Sequence, residues 1–346
     1  MANVHIPSFV GHEVIKVKKS VYVFSSGELK RKDNTIYIEN EGGNKYLPIE
    51  TISEIYLFGE TTLNTALLNF LSQKGITMHY FNYYGYYSGT IYPRERLVSG
   101  EMTVKQVEHY ISKDLRLTLA KKFVHGSIQN ILKVLNYYNN RGKNLEAIID
   151  KVETFDSGVP FQEDVDSLMG IEGNARDYYY QAFDIITESA LFKFEKRSRR
   201  PPKNPLNSLI SFGNSVIYTS ILSEIYKTHL DPRIGYLHSS NLRRFSLNLD
   251  VAEIFKPIII DRVILTIVGK GEFTEENFET GTEGFILNKA GREIFLRHFE
   301  EKMASTMMHR ELGREVSYRR LIRMELYKLE KHFIGDKEYQ PFLAYW

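Results

Sequence analysis

Three stretches of the chain carry side chains able to do metal or acid–base chemistry. In Leu168-Met169-Gly170-Ile171-Glu172-Gly173-Asn174-Ala175-Arg176 a glutamate stands between two glycines. Glycine lets backbone or ligand approach closely, so Glu172 is poorly shielded. At a helix entrance the same carboxylate would simply complement the positive end of the dipole. In Leu249-Asp250-Val251-Ala252-Glu253-Ile254-Phe255-Lys256-Pro257 two acids lie three apart, on one helical face. The spacing also reads as a variant capping box ahead of an apolar run. The third is His238, in Arg233-Ile234-Gly235-Tyr236-Leu237-His238. It is either a satisfied structural residue or, as neutral imidazole, a metal ligand. An oxygen-rich set with one nitrogen suits Mg2+ or Mn2+ better than Zn2+, although linear order alone does not bring the three segments together.

A basic counterpart runs from Phe194 to Pro205, with six basic residues and one acid between Lys193 and Lys203. Pro201-Pro202 predicts an extended chain that splays Arg199, Arg200 and Lys203 toward phosphates rather than stacking them on a helix. The plainer reading is a solvated charged loop, or arginines paired with the protein's own acids. A second basic series, Arg310, Arg314, Arg319, Arg320, Arg323, Lys328 and Lys331, is interleaved with Glu311, Glu315, Glu325 and Glu330 and reads as a salt-bridged helical face. The tyrosines at 80, 83, 84, 86, 87 and 92 suit core or interface packing better than base stacking.

The elements that must hold these residues fall into two textures. Residues 1 to about 95 read as mostly β, with runs at Ser20–Phe24, Thr35–Ile38, Ile52–Phe58, Ile76–Phe81 and Tyr86–Tyr92. Turn signals at Ser26-Gly27, Asp33-Asn34 and Glu41-Gly42-Gly43-Asn44 separate the early ones. A short helix is expected over Thr62–Gln73, stopped by Gly75. Beyond Tyr92-Pro93-Arg94-Glu95, a plausible linker, the pattern becomes helical. Ile128, Ile131, Leu132 and Leu135 repeat at i, i+3, i+4, i+7. Further helices are expected at Tyr178–Phe194, Leu206–His229, Leu249–Val268, Lys289–Arg310 and Ser317–Phe333. The acid-rich stretch Glu146–Asp166 reads as an exposed connector. The expectation is therefore an α+β chain, a small N-terminal β-rich domain (1–95) followed by a larger all-α catalytic domain (96–346).

Composition narrows the function classes. With 346 residues the chain can bury a core without staples. It has no cysteine, which removes disulfides, thiolate metal sites and cysteine nucleophiles together. Lys and Arg total 45 against 43 Asp and Glu, a net charge of +2, so nucleic-acid binding has to come from local patches. No window approaches a membrane span, and Met1 to Pro7 show no secretory signal, so a cytoplasmic location with no membrane partner is expected. There is no phosphate-binding loop, dinucleotide fingerprint, His-Glu-x-x-His or Gly-x-Ser-x-Gly motif.

Four stretches together resemble the CRISPR-associated integrase family, the Cas-one endonuclease of spacer acquisition. They are Leu168 to Arg176; Arg199-Arg200-Pro201-Pro202-Lys203-Asn204-Pro205 through Gly213; Gly235-Tyr236-Leu237-His238 with Asp250 to Pro257; and Tyr318-Arg319-Arg320-Leu321-Ile322-Arg323 through Tyr339-Gln340-Pro341-Phe342. Their order and spacing match as well. The resemblance implies a homodimer, a small second adaptation subunit as partner, and double-stranded and branched DNA as substrate; the short strands and tyrosines of the β domain place the expected dimer contact there. It implies metal binding by Glu172, His238 and Glu253, with Asp250 an additional catalytic acid, and DNA contact by Arg199, Arg200 and Lys203. Position 253 carries Glu where many relatives carry Asp. The implied activity is divalent-metal-dependent DNA cleavage and integration, in which a 3′-hydroxyl attacks a phosphodiester. The readings from other classes are a non-catalytic nucleic-acid-binding scaffold and a metal-free RNA endonuclease working through histidine.

Overall fold

A computed structural model describes residues 18–40, 43–94, 97, 99–238, 245–279 and 284–345. The chain separates into two compact units. Unit 1 comprises residues 1–81 and 88–94, and unit 2 comprises 82–87 and 95–346. The N-terminal heptapeptide, Glu41-Gly42 of one expected turn and Glu95 of the expected linker lie outside the described residues.

Unit 1 is built from β1 (Lys19–Val23), β2 (Gly27–Lys32), β3 (Thr35–Asn40), β4 (Gly43–Pro48), β5 (Ile52–Leu57), β6 (Thr61–Leu63), helix α1 (Thr65–Lys74), β7 (Thr77–Phe81) and β8 (Tyr87–Ile91). They form two four-stranded sheets, ordered β1-β5-β7-β8 and β4-β3-β2-β6. β5 runs parallel to both β1 and β7. Its buried residues Ile52, Glu54, Ile55, Tyr56 and Leu57 occupy both faces, as expected for a central parallel strand. Leu67, Phe70 and Leu71 of α1 join Val23, Leu29, Ile36, Ile55 and Met78 in one core. The expected helix Thr62–Gln73 is split, because Asn64 caps a helix that starts only at Thr65, leaving Thr61–Leu63 to pair with β2. Gly75 ends α1 in the left-handed region at φ 67°, which glycine adopts without strain. Three strands of unit 1, β2, β4 and β6, fall outside the expected runs; in β2, Gly-Glu-Leu-Lys-Arg-Lys, only Leu29 is buried.

Unit 2 contains α2 (Gly100–Ile111), α3 (Lys113–Asn139), α4 (Glu146–Gly158), α5 (Val165–Thr187), α6 (Pro205–Ile225), α7 (Leu247–Phe255), α8 (Arg262–Gly269), α9 (Lys289–Ala304), the hairpin β9 (Thr306–His309) and β10 (Arg314–Ser317), and α10 (Tyr318–Phe333). α6 is buried along almost its whole length, its serines, Asn207, Thr219 and Glu224 included, which makes it a central helix. α5 begins thirteen residues before the expected Tyr178 start, because Asp164 accepts the Ser167 N–H at 2.7 Å as N-cap. The Glu146–Asp166 connector is a correction: α4 occupies most of it, burying Ile149 and Val152, with Glu146, Asp150 and Glu153 exposed and Asp156 turned toward His125 and Gln129 of α3. Lys289–Arg310 is likewise not one helix, since the chain turns into β9 at Thr306.

Between α7 and α8 the helix widens over Pro257–Asp261, where the Asp261 N–H donates to the Lys256 carbonyl five residues back at 3.0 Å. Pro257 has no N–H to offer the Glu253 carbonyl four residues back, and the neighbouring Ile254 carbonyl accepts from the Asn130 side chain at 2.9 Å. This wide turn is buried throughout, and it carries Asp261 inward. Among the described residues no helix is long and apolar enough to cross a membrane.

Candidate active site

Glu172 does not sit at a helix entrance. It lies about two turns past the start of α5, and Arg176 follows it at i+4 on the same face. Arg176 is buried and is the centre of a charged cluster. Its Nε donates to Glu172 Oε1 at 3.1 Å, and its Nη2 donates to Glu253 Oε2 at 2.6 Å and to Ser127 Oγ at 3.1 Å. Its Nη1 lies 3.6 Å from Asp261 Oδ2. The second oxygen of Glu253 accepts from Lys256 Nζ at 2.6 Å. One guanidinium thus ties α3, α5, α7 and the wide turn after α7 together.

The two glutamates share this cluster unequally. Glu172 is raised above the usual carboxylate range, first by burial and then by the charge of Glu253. Burial acts on Glu253 in the same direction, yet Lys256 and Arg176 override it and hold that carboxyl well below the usual range. Glu253 is therefore the fixed anion and Glu172 the group more willing to take a proton. Asp261, 1% exposed, is pushed up to about 6 by burial, against the pull of Arg176 and Lys256.

Asp250 has a different task from Glu253. It is fully buried in the first turn of α7, where Ser246, not Asp250, holds the capping position, so the capping-box reading fails. Its carboxylate accepts the backbone N–H groups of Tyr236 at 2.5 Å, Leu237 at 3.1 Å and His238 at 2.8 Å. It also meets His238 Nδ1 at 2.9 Å. With both oxygens so occupied, Asp250 orients His238 rather than joining the glutamates. Accepting from Nδ1–H fixes the tautomer and leaves the Nε2 lone pair of neutral His238 available. Burial is the largest influence on His238 and lowers its pKa, but the hydrogen bond and charge of Asp250 together with the charges of Glu253 and Glu172 outweigh it, and the net shift is upward. Gly235 is required at this turn, because a Cβ there would stand 2.8 Å from the Ser246 backbone.

The expected set is thus distributed as follows. Glu172 and Glu253 are brought together on Arg176, His238 is held within their electrostatic reach by Asp250, and no group of three or more His, Asp or Glu side chains among the described residues is already closed around a metal position. Arg176, Lys256, Ser127 and Asp261 belong to the site and were not singled out from sequence. Arg176 and Lys256 carried a signal, at i+4 from Glu172 and i+3 from Glu253. Asp261 carried none.

The Arg-Arg-Pro-Pro segment bends rather than running extended, with Arg200 at φ 53° and a cis peptide bond before Pro201. Arg199, Arg200 and Lys203 are exposed, and none has an ion-pair partner among the described residues. The Arg200 guanidinium lies 5.9 Å from the Tyr86 ring. Arg197 is the structural member of the run, donating to Asn207 Oδ1 at 2.8 Å and to Ser211 Oγ at 3.0 Å. The second basic series is a salt-bridged helical face only in part: Arg319, Arg323, Lys328 and Lys331 of α10 pair with Glu300, Glu224, Glu325 and Asp336, whereas Arg310 and Arg314 lie in the β9–β10 hairpin instead of on a helix.

Comparison with known proteins adds a family. The family model described as CRISPR associated protein Cas1 matches residues 21–301. A protein of Thermodesulfovibrio yellowstonii named CRISPR-associated endonuclease Cas1 2 is 56% identical over 330 residues, spanning 95% of this chain and 100% of that protein. The solved structure of a Cas1 protein from Thermotoga maritima superposes with a TM-score of 0.83 at 48% identity, covering 94% of this chain and 99% of that one. A casposase bound to its integration product has a TM-score of 0.84 at 19% identity over 94% of this chain and 93% of its own, a likeness of fold.

The Asp261 environment generates a pH prediction. A carboxyl whose folded pKa is about 6 against an ordinary 3.8 binds its proton more tightly when folded, so stability falls as pH rises between those values. Asp261→Asn removes that dependence. Its melting temperature relative to the unsubstituted protein should therefore increase from pH 4 to pH 8, measured by thermal denaturation at several pH values. A constant difference would refute the buried-acid assignment.

Proposed function

The chain belongs to the Cas1 family of CRISPR-associated proteins, and from that premise we propose that it is a divalent-metal-dependent DNA endonuclease and integrase, joining a DNA 3′-hydroxyl to a phosphodiester during CRISPR adaptation. The observation that carries this reading is the pairing of Glu172 with Glu253 on Arg176, beside an imidazole whose Nδ1 meets Asp250. The donor set fits a hard divalent ion. Two carboxylates share one buried cluster, and the acidity of each is displaced by the other's presence or by the cations around it. Glu172, Glu253 and His238 would hold Mg2+ or Mn2+. When bound, such an ion lowers the pKa of an oxygen nucleophile and neutralises charge developing on phosphorus.

The remaining work is done by the chain's own residues. Arg176 orients both carboxylates, and Lys256 keeps Glu253 ionised. Asp250 fixes the ring orientation of His238. Exposed Arg199, Arg200 and Lys203 grip phosphates of the bound DNA, which positions it without reading sequence. The small second adaptation subunit belongs to the same reading as partner. Two copies would pair through unit 1, where Tyr46 and Tyr80 are exposed and sheet edges favour pairing.

Glu172→Gln and His238→Ala should each lose strand transfer on branched DNA while keeping their melting transition. The unsubstituted protein should lose activity in chelator and regain it with Mg2+ or Mn2+. Integration by His238→Ala at the normal rate would defeat the proposal. Arg199→Ala and Arg200→Ala should each reduce the salt slope of DNA affinity by about 1 and weaken all sequences alike. An unchanged slope with a lowered melting temperature would assign them to structure. Light scattering at micromolar concentration should give twice the protomer mass, and a protomer mass would rule out the unit 1 dimer.

A further inference from the structure

A second concentration of positive charge lies in unit 2, and its members have no acidic partners among the described residues. Tyr137, Tyr138 and Arg141 stand at the C-terminal end of α3, Arg262 opens α8, Lys302 lies near the end of α9, and Tyr318 opens α10. The Arg141 guanidinium lies 3.7 Å from the Tyr137 ring centroid, and that of Arg262 lies 4.0 Å from Tyr137 and 5.3 Å from Tyr138. Lys302 Nζ lies 3.7 Å from the centre of the Tyr318 ring, which is buried. Arg262 and Lys302 are half-buried, and Arg141 is exposed. None of the three cations forms an ion pair among the described residues, and Arg262 Nη1 is buried without a hydrogen-bond partner.

The electrostatic surroundings repeat the point from four positions. The charged neighbours acting on Tyr137 and Tyr138 are Arg262 and Arg141, and Arg262 alone acts on Tyr318 and Lys302. Burial first, and then Arg262, push Lys302 down to about 8. A π face returns less than the burial of an unpaired cation costs. Three cations gathered from α3, α8 and α9 without a carboxylate are therefore incomplete without an anion. The exposed position of Arg141 leaves the cluster open on one side, and the planar guanidinium groups match phosphate oxygens.

We infer that Tyr137, Arg141, Arg262 and Lys302 form a second phosphate-binding site, taking the backbone of a DNA strand. The tyrosine rings hold the cations apart and in place, and the guanidinium groups and the ammonium contact phosphate. Arg262 directly follows Asp261, which touches Arg176, so one turn of chain connects this corner to the carboxylate cluster. The assignment to DNA rests on the function proposed above. The phosphate chemistry would equally suit a free nucleotide, which the experiment separates.

The test uses the full chain and a fluorescently labelled branched DNA. Arg141→Gln, at an exposed position, and Arg262→Met, which keeps an apolar stem against Tyr137, should each reduce the salt slope of DNA affinity by about 1. Acylation of Lys302 at pH 8, read by mass spectrometry, should be slowed by the DNA and unaffected by the same phosphate concentration supplied as ATP. Unchanged slopes together with unchanged Lys302 labelling overturn the inference and leave an aromatic staple between helix ends. Protection by ATP with none by DNA overturns the DNA assignment. If the unsubstituted protein binds no DNA at all, the proposed function fails with it. Normal DNA binding by Glu172→Gln, with the Arg141 effect intact, separates this site from the metal reading.

Discussion

The arrangement of the candidate site depends on a buried arginine. Arg176 reaches two glutamates, a serine and an aspartate from four stretches of chain, and no other side chain in the cluster touches so many. A guanidinium is suited to this because it keeps its charge under burial and offers several donors in one plane. Taking such ions out of water is costly, and only multiple good partners offset the cost. The packing of α3, α5 and α7 therefore answers to the same contact that sets the angle between the carboxylates. Removing the arginine would leave uncompensated acids in an apolar interior.

Two carboxylates three residues apart on α7 do different work because their surroundings differ. Glu253 faces cations and stays ionised, whereas Asp250 faces the backbone N–H groups of the Tyr236–His238 turn and the histidine ring. The first is a ligand candidate and the second positions another candidate, His238. Glu172, beside Glu253 but nearer the surface, is pushed the opposite way. A division of labour among acids by environment is common where proton and metal chemistry meet.

Much of this was legible before the structure. The β-then-helical division follows from the change of hydrophobic period, and the resemblance picked out Glu172, His238 and Glu253. Pairings between distant segments were not legible. Nothing in the spacing shows that Asp250 spends its oxygens on a turn twelve to fourteen residues upstream, since backbone donors have no residue signature. Asp261 was hidden by Ile258-Ile259-Ile260, which reads as plain core. α4 was hidden by its acids, although Ile149 and Val152 already had helical spacing. β2 and β4 were missed because strands with one buried residue, or closed by proline, give little alternation.

The widened turn at Pro257–Asp261 also bears on how the two charged regions of unit 2 are laid out. One extra residue in a helical turn rotates everything after it by about 100° around the axis. Asp261 and Arg262 are neighbours in sequence, yet one enters the buried acid cluster and the other meets the tyrosines at the end of α3. Chain length within that turn, more than the identity of any residue there, decides which side chains face which neighbour. A deletion of a single isoleucine from 258–260 would keep composition and hydrophobicity almost intact while turning α8 as a whole, like a key cut correctly and inserted at the wrong angle. Insertion and deletion at this point are thus a different kind of change from substitution, and relatives can be aligned through it only if the turn is counted as part of the site.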